Sequence, residues 1–366
     1  MILSLKNVAY CLLDWGLIRP ETIVDGDLTI HDTSRRNQNF KVVRKNGPGF
    51  FVKQIQLWNP QIRAEMQREA ACYWLPEHDP AFAPLAGIIP KYAHYDAGRS
   101  VLITELLPEA ESVADYQRRL GQFPAELAGG LGRLLATCHR VGHGDLRSNK
   151  HLASFPKAIP WILSVHLQNP NHFNDLSAGN SQMIGVMQQY PDFQRSLDDL
   201  RNRWERNSLI HGDIKWDNCL IESPAAEPAK LKLRIVDWEL ADVGDAAWDV
   251  GAMLQAYLSF WIMSMNLPPG VPPAQAMNRA QYPLESMQPA IKSFWTAYRD
   301  AMGLSGKDAQ ACLERSVKYG AARMIQTVYE YMFRSPQLTP NALCLLQVSM
   351  NILQQPREAI EHLLAL

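Results

Sequence analysis

Two short apolar runs, each ending in a carboxylate, constrain this chain more than any other feature. Leu209-Ile210 leads into His211-Gly212-Asp213-Ile214-Lys215-Trp216-Asp217-Asn218, and Ile235-Val236 leads into Asp237-Trp238-Glu239, with Asp237 nineteen residues beyond Asn218. Apolar and β-branched residues favour a short strand, and the abrupt change to Gly, Asp and Asn ends that strand in a loop. An isolated Asp or Asn in a loop usually only shapes a turn, because its side chain hydrogen-bonds nearby backbone. Two such junctions, in this order and each directly after an apolar run, go beyond ordinary turn chemistry.

The rest of the chain gives those junctions a frame. Residues 27–56 alternate as strands do, and Phe40-Lys41-Val42-Val43-Arg44-Lys45 and Phe50-Phe51-Val52-Lys53 flank Asn46-Gly47-Pro48-Gly49, which predicts a β-hairpin. Helical spacing over Ile62–Leu75, a buried strand over Ser100–Leu107 and a break at Pro108 follow. Pro124–Arg140 reads as helix, the next fifty residues show weak periodicity, and after Asp245 the pattern is helical to Leu366. The expected architecture is α+β, with a β-rich N-lobe over residues 1–106 and a large, mostly α-helical C-lobe over residues 107–366.

The loop from His211 to Asn218 together with Asp237 resembles the HGDxxxxN catalytic loop and metal-binding Asp of the aminoglycoside phosphotransferase and choline kinase-like family. Strong matches are confined to 209–218 and 235–249, within a resemblance that covers roughly residues 20–260. It implies a bilobal protein-kinase-like fold and transfer of the γ-phosphate of ATP to a hydroxyl. Such transfer leaves the protein little covalent work, so the site must align the acceptor and neutralise spreading negative charge. Asp213 is then the group that orients the acceptor hydroxyl and takes its proton. Asn218 and Asp237 are the oxygen ligands of Mg²⁺, a hard cation suited to carboxylate and carbonyl oxygens.

By the same resemblance Lys53 grips the nucleotide phosphates and pairs with a helix glutamate, either Glu69 or Glu65 one turn earlier. Asn37, in the glycine-free loop Ser34–Asn39, stands where backbone amides cover the nucleotide, and Glu105 and Leu107 stand where the adenine is held. Gly244-Asp245-Ala246-Ala247-Trp248-Asp249 resembles the family's GDPAxD segment: Asp245 suits a helix N-cap, and Asp249 braces the catalytic loop. Trp238-Glu239 replaces the Phe-Gly of protein kinases, removing a glycine hinge. A second His-Gly-Asp at His143-Gly144-Asp145 has no strand leading into it and reads as loop.

Lys215, two residues after Asp213, is shared with Ser/Thr protein kinases, so the acceptor is expected to be a hydroxyl of a small molecule or of a peptide. The segment from Arg147 to Tyr190 and the Pro-rich loop Leu267–Pro273 are the candidate acceptor wall. A nucleotide-binding pseudokinase is the remaining reading, opposed by the joint presence of Lys53, Asp213, Asn218 and Asp237.

Composition excludes other classes of partner. Thirty-six Lys and Arg balance 37 Asp and Glu for a net charge of −1, so no global field draws the chain to nucleic acid or an anionic membrane. The most apolar stretch, Val250–Met265, carries Gln255, Ser259 and Ser264 and falls short of the roughly 20 residues a bilayer requires, so no membrane span is expected. Six scattered cysteines without CxxC pairing suit buried free thiols in the cytoplasm, and the N-terminal segment reads as an amphipathic helix without a cleavage site.

Overall fold

The computed structural model describes residues 2–34, 36–56, 59–141, 146, 149–167, 176–223, 225, 231–268 and 277–366. Its first third contains helices α1 (Val8–Asp14) and α2 (Pro20–Val24), strands β1 (Leu28–Asp32), β2 (Gln38–Arg44) and β3 (Phe50–Gln54), and helix α3 (Pro60–His78). Strands β4 (Tyr92–Asp96), β5 (Val101–Glu105) and β6 (Glu111–Ser112) precede helices α4 (Val113–Leu120), α5 (Ala125–Arg140), α6 (Ala178–Gln188) and α7 (Pro191–Asn202). Strands β7 (Ser208–Ile210), β8 (Cys219–Ile221), β9 (Leu233–Ile235) and β10 (Asp242–Gly244) come next. Helices α8 (Ala246–Met263), α9 (Leu284–Met302), α10 (Gly306–Tyr331), α11 (Pro340–Gln354) and α12 (Pro356–Glu358) complete the chain.

Two compact units result, and they interleave along the chain. One comprises Met1–Val113, Val141–Phe155 and Asp217–Ala241; the other comprises Ala114–Arg140, Pro156–Trp216 and Asp242–Leu366. Strands β8 and β9, which precede Asp237, therefore cluster with the N-terminal sheet.

In the first unit an antiparallel sheet runs in the order β1-β2-β3-β5-β4. The expected hairpin is β2–β3, with Phe40 opposite Val52 and Asn39 opposite Lys53. Its turn needs glycine, since a Cβ on Gly49 would lie 2.5 Å from the carbonyl oxygen of Val42. Alternation places Phe40, Val42, Phe50 and Val52 in a core closed by Leu3, Val8, Cys11 and Leu12. The N-terminal helix is only α1, shorter than its apolar pattern suggests; Leu3 ahead of it is held by its N–H donating to Gln54 Oε1 at 2.7 Å. Helix α3 starts on an Asn59 cap with Pro60 in its first turn, where proline's missing N–H costs nothing. Glu65, Glu69 and Tyr73 recur every four residues and are all buried, so they share one face of α3. A smaller sheet, β6-β8-β9, carries Asn218 and Asp237 at its strand ends.

The second unit is helical around the two-stranded β7–β10 pair. Two close helix crossings depend on glycine: a Cβ on Gly132 of α5 would meet the Phe294 carbonyl oxygen of α9 at 2.3 Å, and one on Gly251 of α8 would meet the Ser316 oxygen at 2.3 Å and the Gly320 nitrogen of α10 at 2.6 Å. Helix α6 lies within the stretch of weak periodicity; it forms because Ser177 caps it and Met183, Ile184 and Met187 bury. No helix among the described residues is long and apolar enough to cross a membrane.

Candidate active site

In the first unit, three carboxylates meet on Lys53. Its Nζ donates to Glu69 Oε2 at 2.8 Å, Asp237 Oδ1 at 2.6 Å and Glu239 Oε2 at 3.3 Å. The elements explain the meeting. Strand β3 points Lys53 inward, the buried stripe of α3 brings Glu69, and β9 ends one residue before Val236-Asp237. Burial works against the ammonium, but Glu69, Asp237 and Glu239 outweigh it and hold the Lys53 pKa well above its ordinary value. Burial pushes the Glu69 carboxyl up to about 7, with Lys53 opposing it. Asp237 adopts left-handed backbone (φ 68°, ψ 54°), which few residues but Gly, Asn and Asp accept. Its N–H is tied to the Tyr73 hydroxyl oxygen at 3.3 Å. Strain of this kind persists only where surrounding structure fixes it, and it clusters at functional sites.

Lys53, Glu69 and Asp237 line a cavity of about 350 Å³. Asn218 and Glu105 add polar lining, and Phe51, Leu102, Leu106, Leu107, Leu220 and Val236 add apolar lining. Of the residues expected to bind nucleotide, Lys53, Glu69, Glu105 and Leu107 are brought together here. Asn37 is not among the lining residues. Its place on the sheet is taken by Asn39, which β2 sets directly opposite Lys53. Glu65 does not reach Lys53: it accepts from Gln61 Nε2 at 3.1 Å, and Arg36 Nη2 lies 3.6 Å from it. Arg36 also donates to Glu239 at 3.2 Å, so Glu239 carries an ion pair on each carboxylate oxygen.

The oxygens of Glu69, Asp237 and Glu239 lie within 4.8 Å of one another. Three carboxylates around one ammonium leave an excess of negative charge and free oxygen lone pairs, the donor set a hard divalent cation takes. The residues present fit Mg²⁺.

In the second unit, β7 ends at Ile210, just before His211, and Gly212 takes a positive φ of 79° to turn the chain toward Asp213. The turn is clasped by the fully buried Asp249: the N–H of His211 donates to Oδ2 at 2.6 Å and that of Gly212 to Oδ1 at 3.1 Å. Trp248 Nε1 donates to the Gly212 carbonyl oxygen at 3.0 Å, and His139 Nε2 stands 3.4 Å from Asp249 Oδ2. Asp245 caps α8 by accepting from the Ala247 N–H at 3.0 Å.

Asp213 itself is held between two cations. Lys215 Nζ donates to Oδ2 at 2.7 Å and Arg323 Nη2 to Oδ1 at 2.9 Å. Burial raises the carboxyl pKa, but Arg323 and then Lys215 outweigh it, so the pKa stands below the usual value. The carboxylate is therefore held in its ionised form.

Arg323 and Glu239 are the residues that motif reading did not assign. Arg323 stands in an otherwise apolar stretch of α10, Gly320-Ala321-Ala322-Arg323-Met324-Ile325. A lone charge in a buried run is a detectable sign, since such groups are almost never buried unpaired. His143-Gly144-Asp145 and parts of the expected acceptor wall, 147–148, 168–175 and 269–273, lie outside the described residues.

Comparison with known proteins agrees with this geometry. Residues 27–286 match the profile of the phosphotransferase enzyme family, APH. The chain belongs to that family. No curated protein matches it in sequence. Among solved structures it is similar to a choline/ethanolamine kinase family protein from Mesorhizobium loti, at 14% identity and a TM-score of 0.53 with 99% of each chain covered. It is also similar to a choline kinase from Cryptosporidium parvum Iowa II, at 14% identity and 0.52 over 96% of each chain. The streptomycin–ATP–APH(2")-IIa ternary complex aligns at 13% identity and 0.50, covering 96% of this chain and 99% of that one. The fold is thus the α+β, bilobal protein-kinase-like fold, and the chain is a phosphotransferase.

Proposed function

We propose that this enzyme transfers the γ-phosphate of ATP to a hydroxyl, with a small-molecule acceptor as the leading reading. The observation that carries it is Lys53, bound by Glu69, Asp237 and Glu239, lining a cavity together with apolar residues. An apolar pocket suits a nucleobase, and a lysine beside carboxylates suits polyphosphate held with a divalent cation. ATP in the APH(2")-IIa complex supports the choice of nucleotide.

In this reading Lys53 binds phosphate oxygens, Glu69 fixes the Lys53 ammonium, and Glu105, Leu107 and Asn39 line the nucleotide site. Asn218 and Asp237 hold Mg²⁺, joined by Glu239, and the ion supplies neutralisation of phosphate charge when bound. Asp213 accepts the hydroxyl hydrogen and aligns the attacking oxygen, and Lys215 keeps the Asp213 carboxylate ionised. Only four residues of chain separate Asp213 from Asn218, so one loop serves both tasks. Residues 1–106 act as the nucleotide lobe and 107–366 as the acceptor lobe, and the free thiols of all six cysteines suit the cytoplasm.

The test is nucleotide turnover with Mg²⁺ for wild type, Asp237→Asn and Asp213→Ala, against pooled hydroxyl metabolites and Ser/Thr peptides. Metal-dependent turnover lost in both variants, with nucleotide binding kept in Asp213→Ala, is expected; the responding pool separates small-molecule from peptide acceptors. Wild type that binds nucleotide but never turns it over sinks the assignment in favour of a pseudokinase.

A further inference from the structure

The surroundings of Asp213 bear on what the acceptor looks like. Arg323 is 5% exposed and its guanidinium is fixed from three directions. Nη2 donates to Asp213 at 2.9 Å, Nη1 donates to Gln326 Oε1 at 2.8 Å, and the group lies 5.5 Å over the Trp248 ring. Its Nε is buried with no hydrogen-bond partner among the described residues. Lys215 uses one ammonium hydrogen on Asp213, and its side chain is 38% exposed, so its other donors can meet a ligand. The Gln326 amide donates to Glu330 at 2.9 Å, and the Glu330 carboxylate also acts on Lys215, though it is exposed and solvent weakens its charge. Asp249, the other nearby carboxylate, is taken up by the His211 and Gly212 amides. Asp213 thus faces a cation at each carboxylate oxygen, Lys215 at Oδ2 and Arg323 at Oδ1.

We propose that Arg323 and Lys215 form an anion-recognising pair beside the base, and that the acceptor is a hydroxyl compound carrying a carboxylate or phosphate group, not an ammonium. An ammonium approaching Asp213 meets a carboxylate already neutralised twice, with one of the cations buried and unable to withdraw. A carboxylate or phosphate next to the reacting hydroxyl takes up the spare donors of Lys215 and of the guanidinium as the hydroxyl engages Asp213. The pair then keeps hydrogen-bond partners while Asp213 turns to the hydroxyl. This rests on Asp213 being the acceptor-side residue of the kinase reading.

Binding is measured by calorimetry on the full chain at physiological salt, with and without a saturating non-hydrolysable ATP analogue and Mg²⁺. The probes are malonate and glycerate (carboxylate), glycerol 3-phosphate (phosphate), choline (cation) and glycerol (neutral). At least one anionic probe is expected to bind about tenfold or more tightly than choline and glycerol, and the better anion identifies carboxylate or phosphate. Arg323→Gln should abolish that preference; because Arg323 is buried and its loss can unfold the chain, Lys215→Gln, at a half-exposed position, provides the second test. Choline or glycerol binding as well as the anions, a preference that survives both variants, or no anion binding at millimolar concentration overturns the proposal. Nucleotide turnover with choline would refute this inference and leave the kinase reading intact, whereas anion binding through Arg323 with no nucleotide turnover would do the reverse.

Discussion

Asp249→Asn isolates the clasp that holds the catalytic loop. The wild-type carboxylate accepts from two consecutive main-chain N–H groups, those of His211 and Gly212, at 2.6 and 3.1 Å, and is wholly buried. The carboxamide keeps one acceptor oxygen and turns the other position into a donor facing an N–H. A hydrogen bond to a charged group contributes about 1.5–3 kcal/mol, and a buried donor left unpaired costs about 1–3 kcal/mol more. The loss is therefore about 3–6 kcal/mol within the helical unit if the loop stays in place. At about 2–4 °C per kcal/mol for domains of 150–250 residues, the melting temperature falls by roughly 6–24 °C. If the loop relaxes to recover a partner, stability falls less, but Asp213 moves, and a displacement near 1 Å costs about a hundredfold in rate. Calorimetric melting and Mg²⁺-dependent nucleotide turnover, measured on the same samples, distinguish the two responses. A variant with its melting temperature within about 2 °C and its turnover within about threefold of wild type would show that the clasp does not position the loop.

Lys53→Met leaves Glu69, Asp237 and Glu239 without their shared ammonium. The expected result is a lower melting temperature without metal and a larger Mg²⁺-dependent rise than in wild type, read by thermal shift; equal rises would remove the metal reading of this cluster. Gly251→Ala sets a methyl against Ser316 O and Gly320 N, and overpacking of this kind costs about 1–3 kcal/mol or more. Since that crossing fixes α10, the variant should also lose turnover, and stability unchanged on denaturant titration would contradict it. The depressed Asp213 pKa gives a pH test. The ion pairs with Arg323 and Lys215 stabilise the fold above the ordinary carboxyl pKa of about 3.9, and that stabilisation disappears as pH falls through the lower folded value. In Arg323→Gln the folded pKa rises, so the acid limb of kcat/KM should move to higher pH; an unmoved limb would detach Arg323 from the base.

The parts of the molecule legible in the sequence are those whose chemistry is local. The β2–β3 hairpin is written in Asn46-Gly47-Pro48-Gly49, and the loops at Asp213 and Asp237 are written in strand-to-polar junctions, because turn geometry depends on adjacent residues. Glu69 was distinguishable from Glu65 only through which of two buried positions on α3 meets β3, and sequence spacing leaves both on the same face. Asn37 and Asn39 present the same difficulty. Strand β2 begins at Gln38, so Asn37 lies just ahead of it, and the register that sets Asn39 opposite Lys53 separates the two.

Arg323 shows where pattern reading stops and why. The sequence displays a charged residue inside Gly320-Ala321-Ala322-Arg323-Met324-Ile325, and burial of an arginine demands a partner. Nothing local supplies an anion: Gln326 is neutral, and the carboxylate Arg323 meets is Asp213, 110 residues earlier. The partner is set by a crossing of α8 and α10 close enough to require Gly251 and Gly320 at the contact. Two glycines on separate helices look like weak helix formers when each helix is considered alone. Their packing against each other is what delivers a fixed positive charge to Asp213, so the helical region with the least motif content supplies the residue on which the proposed acceptor chemistry rests.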